Sequence, residues 1–227
     1  MSKFLLLSYW REMRWGAWSL ICLYISVLSG IIVGLQYDYS TPFYSSTSIE
    51  LLAPFGRYFR SLHFFSSQFF FLLTCIHLVA IYSKSLHYKG SEWLKLTVTL
   101  PVIIMLLFTG YVLRGDITGM SAGSIAENII QTVPLFGEML DNSLFAISKV
   151  GLRNVYIHHV ISFDFLFLLL AWNHLRTYRI TITENPGAII LVLIFSVFVS
   201  APLDRDIGGI DYIAGPWFFL GLQELLR

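Results

Sequence analysis

Five of the six histidines stand within long apolar stretches, where an imidazole is rare and normally serves a function. His63 and His77 are 14 residues apart, so on one helix they differ by about 40° around the axis and about 21 Å along it. His159 and His174 are 15 apart and differ by about 60° and about 22 Å. His158 would face about 160° away from His174, which leaves His159 as the better partner. His158 stays open as the alternative if its helix begins irregularly. Imidazoles about 21 Å apart cannot share an ion. They suit two separate metal centres instead, each closed by a second imidazole at the same depth on another helix.

Four apolar stretches are long enough to carry such histidines through a bilayer core of about 30 Å. They are segments A (Trp15–Gln36), B (Arg60–Tyr82), C (Trp93–Leu113) and D (Val155–Thr177). Segment E (Gly187–Pro202) is shorter and bounded by prolines. The terminal stretch Ile213–Leu226 is apolar but too short to span, and is expected as a partly inserted segment. With 56% hydrophobic and 13% charged residues, a water-soluble domain is disfavoured. The net charge of +1 is uninformative, and no basic run points to nucleic acid as a partner. The predicted fold class is therefore all-α, a transmembrane helical bundle with membrane lipid around it.

Charge orients this bundle. The N-terminus, the B–C connection with its flank and the D–E connection hold Lys3, Arg11, Arg14, Lys84, Lys89, Lys95, Arg176 and Arg179 against only Glu12, Glu92 and Glu184. The opposite side is richer in acids than in bases, which places the N-terminus on the cytoplasmic side. Segments B and D then run in the same direction. His63 pairs in depth with His159, and His77 with His174. Two facing pairs inside a bundle are what two bis-histidine haems require, with irons about 20 Å apart along the membrane normal. The bland alternative, histidines satisfied in the core or lining a pore, loses weight because two pairs match at once.

Other residues carry less. Cys22 and Cys75 form no CxxC or CxxCH pattern, which argues against a zinc site or a covalently attached haem and for reduced buried thiols. The opening segment, from Lys3 to Arg14, suits an amphipathic helix on the membrane surface better than a signal sequence. Asp164 in segment D serves either a proton route or a buried polar contact.

The pattern Arg60-Ser61-Leu62-His63, then His77, then Thr109-Gly110-Tyr111-Val112-Leu113, then the paired histidines of D resembles the cytochrome b family of bc-type quinol-oxidising complexes. Ser29-Gly30 and Val133-Pro134-Leu135-Phe136-Gly137 add to the likeness, which runs from about Trp15 onward. The spacing in D, with Arg179 five residues after His174, is most similar to the split-chain form. The resemblance implies an outer haem on His63 and His159 and an inner haem on His77 and His174. It implies that Gly16, Gly30 and Gly110 let haem edges approach their helices, a missing Cβ being the reason. Small-residue helix packing is the competing explanation for these glycines. Arg60 and, more weakly, Arg153 would pair with haem propionates, or else sit as interfacial arginines.

Departures from the family pattern matter as much. Gly-Tyr-x-Leu-Pro-Trp is here Gly110-Tyr111-Val112-Leu113-Arg114-Gly115, and Leu96 stands where a second glycine of segment C is expected. The quinol motif Pro-Glu-Trp-Tyr is Gly215-Pro216-Trp217-Phe218, so Pro216 replaces the proton-accepting glutamate. Glu224 or Asp211 could take that role. The position that tethers a third haem in the split-chain form is Arg14, so none is expected.

Residues 1–182 are thus expected to form the di-haem core, and 183–227 the fifth helix with a segment resembling the start of the family's C-terminal part. The implied function is electron transfer across a cytoplasmic or equivalent energy-transducing membrane, between quinone and a redox partner. The implied partners are a Rieske protein or c-type cytochrome, with the family's remaining helices either on a second cytochrome b subunit or absent, within a complex compatible with a dimer. The alternatives are a di-haem quinone-reactive anchor of a dehydrogenase or reductase, and a haem-free transporter or scaffold.

Overall fold

A computed structural model describes residues 14–85, 88–178, 180, 185–204 and 215–220, with only the backbone of 83–85. The expected N-terminal surface helix, Arg179, Asp211 and Glu224 lie outside the described residues. The described chain is helical without strands. Its elements are α1 (Trp15–Gly34), α2 (Pro42–Leu51), α3 (Gly56–Ser85), α4 (Gly90–Val112), α5 (Ile117–Gln131), α6 (Gly137–Leu144), α7 (Ile147–Val150), α8 (Arg153–Ile157), a π turn (His158–Ser162), α9 (Phe163–Thr177) and α10 (Pro186–Phe198). Four stretches are long and apolar enough to cross a membrane: α1, α3 through Tyr82, α4, and the span Arg153–Thr177 that contains α8, the π turn and α9. These are segments A to D, and the protein is a multi-pass membrane protein.

The chain divides into two compact units. The first holds α1, most of α3, the start of α4, the end of α9, and α10. Its helix α1 buries Ser19, Cys22, Ser26 and Ser29 at spacings of three and four, a small-residue stripe of the kind that lets membrane helices approach closely. Across it, the hydroxyls of Ser19 and Thr74 lie 2.7 Å apart, and Thr74 in turn donates to the Phe70 carbonyl on its own helix. Serine and threonine hydroxyls that bond back to the preceding turn leave no polar group for lipid to face. Helix α10 begins with Pro186 at a position where the missing N–H costs nothing. Its buried Ala188, Val192 and Ser196 form one face, and Phe195 packs edge-on to Phe65 and Phe69. At 13 residues α10 is about 20 Å long, too short to span alone.

The second unit holds α2, the rest of α4, α5 to α8, the π turn, the start of α9 and the segment Trp217–Phe219, a single 3-10 turn. Its core is Phe108, Val112, Leu113, Phe145, Ile147, Leu152 and Val155, with Phe218 and Phe219 packed against it. The long connection after segment C is therefore a set of helices fixed by buried acids. Asp116 caps α5 by accepting the Gly119 N–H, and also accepts the Asp204 N–H. Asp141 accepts from Gln131 and the Ala146 N–H, and Glu127 from the backbone and hydroxyl of Ser148. Each buried carboxylate thus has the donors that burial demands.

Candidate functional site

In the first unit α1 presents Gly16 and Gly30 to the two histidines of α3. A β-carbon on Gly16 would lie 2.8 Å from Cε1 of His77, and one on Gly30 would lie 2.8 Å from Cε1 of His63. Both pairs are separated by 14 residues on their own helices, so the match repeats at two levels. His63 Nδ1 is 2.9 Å from the Ser26 carbonyl oxygen. A carbonyl only accepts, so Nδ1 carries the proton and the lone pair of the neutral ring falls on Nε2. The rings of His77 and His174 have centroids 6.2 Å apart. A metal bound to one nitrogen of each ring at about 2 Å would separate the centroids by about 6 Å.

Tyr178 extends this arrangement. Its ring packs on His174 with centroids 4.8 Å apart, and its hydroxyl lies 2.8 Å from that of Tyr88. Burial, and then the bond to Tyr178, pushes the Tyr88 hydroxyl up to about 12, so Tyr88 keeps its proton near neutrality.

In the second unit His159 stands against Gly110, where a β-carbon would lie 2.9 Å from its Cε1. Its Nδ1 is 3.0 Å from the hydroxyl of Thr109, whose single proton is directed to the Met105 carbonyl at 2.7 Å. The threonine oxygen therefore accepts from Nδ1–H, and the lone pair again falls on Nε2. Such a bond fixes ring orientation and raises the basicity of a metal-ligating histidine. His158 is oriented elsewhere, its Nε2 lying 2.8 Å from the Ser143 carbonyl. Nothing in composition marks the hydrogen-bond partners of these rings, although Ser26 stands one helical turn before Gly30 and Thr109 directly before Gly110.

The remaining expected residues are placed as follows. Arg60 is buried and donates from Nη2 to the Ala201 carbonyl at 2.6 Å, while Ser61 accepts the Ala201 N–H. Its guanidinium thus ties down the chain after α10. Arg153 is exposed at the start of the fourth span, and Asp164 is half-buried on α9. Arg114, where the family has proline, stacks over Tyr111 at 4.2 Å and pairs with Asp116 at 3.1 Å and Asp204 at 3.5 Å. Pro216 is extended, and Phe219 packs on Phe108 with centroids 4.9 Å apart.

These residues fit haem better than a bare ion. Among the described residues no three His, Cys, Asp or Glu side chains group to hold a metal. Three imidazoles seated on glycines, two of them with the lone pair on Nε2, and the facing rings of His77 and His174 suit the binding of a porphyrin iron.

Comparison with known proteins agrees in kind. The family model described as cytochrome b/b6/petB matches residues 5–182. The chain is similar to the cytochrome b of Bugula neritina, 26% identical over 223 residues, covering 94% of this chain and 59% of that protein. It is similar to the cytochrome b6 of Heliomicrobium gestii, 26% identical over 179 residues, covering 75% of this chain and 84% of that protein. The chain thus spans about three-fifths of the length of the first of these relatives. Among solved structures, a chain of a hyperthermophilic respiratory Complex III matches with a TM-score of 0.73 at 21% identity, covering 94% of this chain and 68% of that chain. That likeness is one of fold.

Proposed function

Because this chain belongs to the cytochrome b/b6 family, we propose that it is the membrane subunit of a quinol-linked electron-transfer complex and holds two b-type haems. His77 and His174 bind one iron, His63 and His159 the other. The supporting observation is the seating of three of these imidazoles on Gly16, Gly30 and Gly110, each with a β-carbon's width removed. When bound, each haem supplies a one-electron carrier that exchanges between ferric and ferrous iron.

The chain's own residues do the rest. Ser26 and Thr109 hold the rings of His63 and His159 in the tautomer that offers Nε2. The apolar helices exclude water and keep the two centres in a low dielectric. Arg60, Arg153 and Arg179 supply positive charge for propionates. Oxidation of a quinol releases protons, and with Pro216 in place of the family glutamate, Asp211 or Glu224 accepts them. The N-terminus faces the cytoplasm, and a Rieske protein or c-type cytochrome together with a second cytochrome b subunit completes the complex. Residues 1–182 are the haem-bearing part and 183–227 the start of the quinone-proximal part.

Reduced-minus-oxidised spectra and a haem count on the purified complex test this. Wild type should carry two b-type haems with distinct midpoint potentials, and His77→Ala or His174→Ala should retain one. Two haems with unchanged ligation in either variant would refute the ligand assignment. Normal quinol turnover in Glu224→Gln would remove Glu224 from the proton path and leave Asp211.

A further inference from the structure

An uninterrupted α-helix would hold the two histidines of the fourth span at a different relative angle from those of α3. Across the 14 residues from His63 to His77, an α-helix falls about 40° short of four turns. Across the 15 residues from His159 to His174, it would overshoot four turns by about 60°. The mismatch is about 100°, one residue's rotation. The fourth span is not uninterrupted: His158–Ser162 form a π turn, in which the Phe163 N–H bonds to the His158 carbonyl five residues back. A π turn takes up roughly one residue more than an α turn. The interval in the fourth span therefore winds like about 14 residues of α-helix, close to the angle set by α3.

The exposure of the turn and one hydrogen bond show how it is held. Val160 and Ile161 within it are 43% and 62% exposed, so the additional residue is accommodated on an outward face without displacing the core. The carbonyl of Ser143 only accepts, so His158 carries its proton on Nε2 and donates to it, tying the turn to the end of α6.

We infer that the π turn at His158–Ser162 sets the register between His159 and His174, with His158 as a positioning residue that pins the turn and is not an iron ligand. This rests on the assignment of His159 and His174 as ligands. The structural consequence is specific: one residue of the turn is dispensable for haem binding, and a residue of the regular helix after it is not.

The test compares deletion of Ile161 with deletion of Leu169, which is equally exposed at 62% but lies in α9. Each is made in the full chain, purified with its haem, and read by haem count and by electron paramagnetic resonance of the oxidised protein. The low-spin signal of a bis-imidazole haem reports the angle between its two rings. Deleting Ile161 should leave two haems per chain and shift only the signal of the haem bound by His159. Deleting Leu169 should turn His174 by about 100° and leave one haem. His158→Ala should keep both haems and shift the same signal that the Ile161 deletion shifts. Loss of a haem on deleting Ile161, or retention of both on deleting Leu169, overturns the inference. So does failure of the Ile161 deletion to fold where Ile161→Ala folds normally. A His159→Ala variant that still binds two haems would instead overturn the ligand assignment beneath it.

Discussion

At Gly16 and Gly30 a β-carbon would lie 2.8 Å from the imidazole Cε1 of His77 and His63, closer than packed atoms approach. An alanine there would press the ring aside, and a valine adds two more carbons on a stiff, branched side chain. Gly16→Val and Gly30→Val should each reduce haem content from two to one per chain, the loss falling on a different haem in each. Difference spectra during redox titration will show which midpoint disappears. Thr109→Val keeps shape but removes the acceptor for His159 Nδ1–H. A less basic ligand stabilises ferric iron less, so that haem's midpoint should rise by roughly tens of millivolts with the other unchanged. Ser26→Ala is the contrasting case: His63 is held by the Ser26 backbone carbonyl at 2.9 Å, and the hydroxyl lies at 3.5 Å. That variant should leave both midpoints close to wild type. The histidines stood out in the sequence because an imidazole at membrane depth is rare, whereas the glycines came forward only through the family resemblance. The carbonyl of Ser26 did neither, since every residue has one.

Among the elements, the four long spans could be read from apolar length: the ends at Trp15, Tyr82 and Thr177 coincide with the expected ones and the others lie a few residues away. The helices α5 to α7 could not. Each is short, and their positions are set by carboxylates whose partners are distant in sequence, such as Asp204 N–H on Asp116. The π turn was equally hidden, because His-His-Val-Ile-Ser contains neither proline nor glycine to announce it. Asp116 is the residue on which α5 most depends. It is buried, caps the helix through Gly119 and faces the guanidinium of Arg114. Asp116→Ala removes the cap and leaves a mostly buried Arg114 without its nearer partner. The expected cost is about 3–5 kcal/mol, the range for breaking a buried pair from one side. Thermal unfolding in detergent, followed by tryptophan fluorescence, should show a midpoint lower by several degrees or more. An unchanged midpoint would mean that Asp204, at 3.5 Å from Arg114, suffices as its counter-charge.

For the molecule as a whole, the two proposed haems would form a path through the bilayer only if electrons pass between them. The proposal ties that path to orientation: eight basic residues flank the side that carries the N-terminus, and the side that carries α5 to α7 is acidic. Both can be examined in one preparation of the complex in liposomes. A protease-sensitive tag on the N-terminus reports which face is outward in each vesicle. A water-soluble oxidant trapped inside then reports electrons that arrive from a quinol added outside. Wild type should reduce the trapped oxidant, whereas His77→Ala should lower that flux at least tenfold while the remaining haem is still reduced from outside. Equal flux in both would mean that electrons enter and leave by one face, the behaviour of a quinone-reactive anchor. The ligand pairs could then stand unchanged, and what would fall is the claim that they form a path through the membrane.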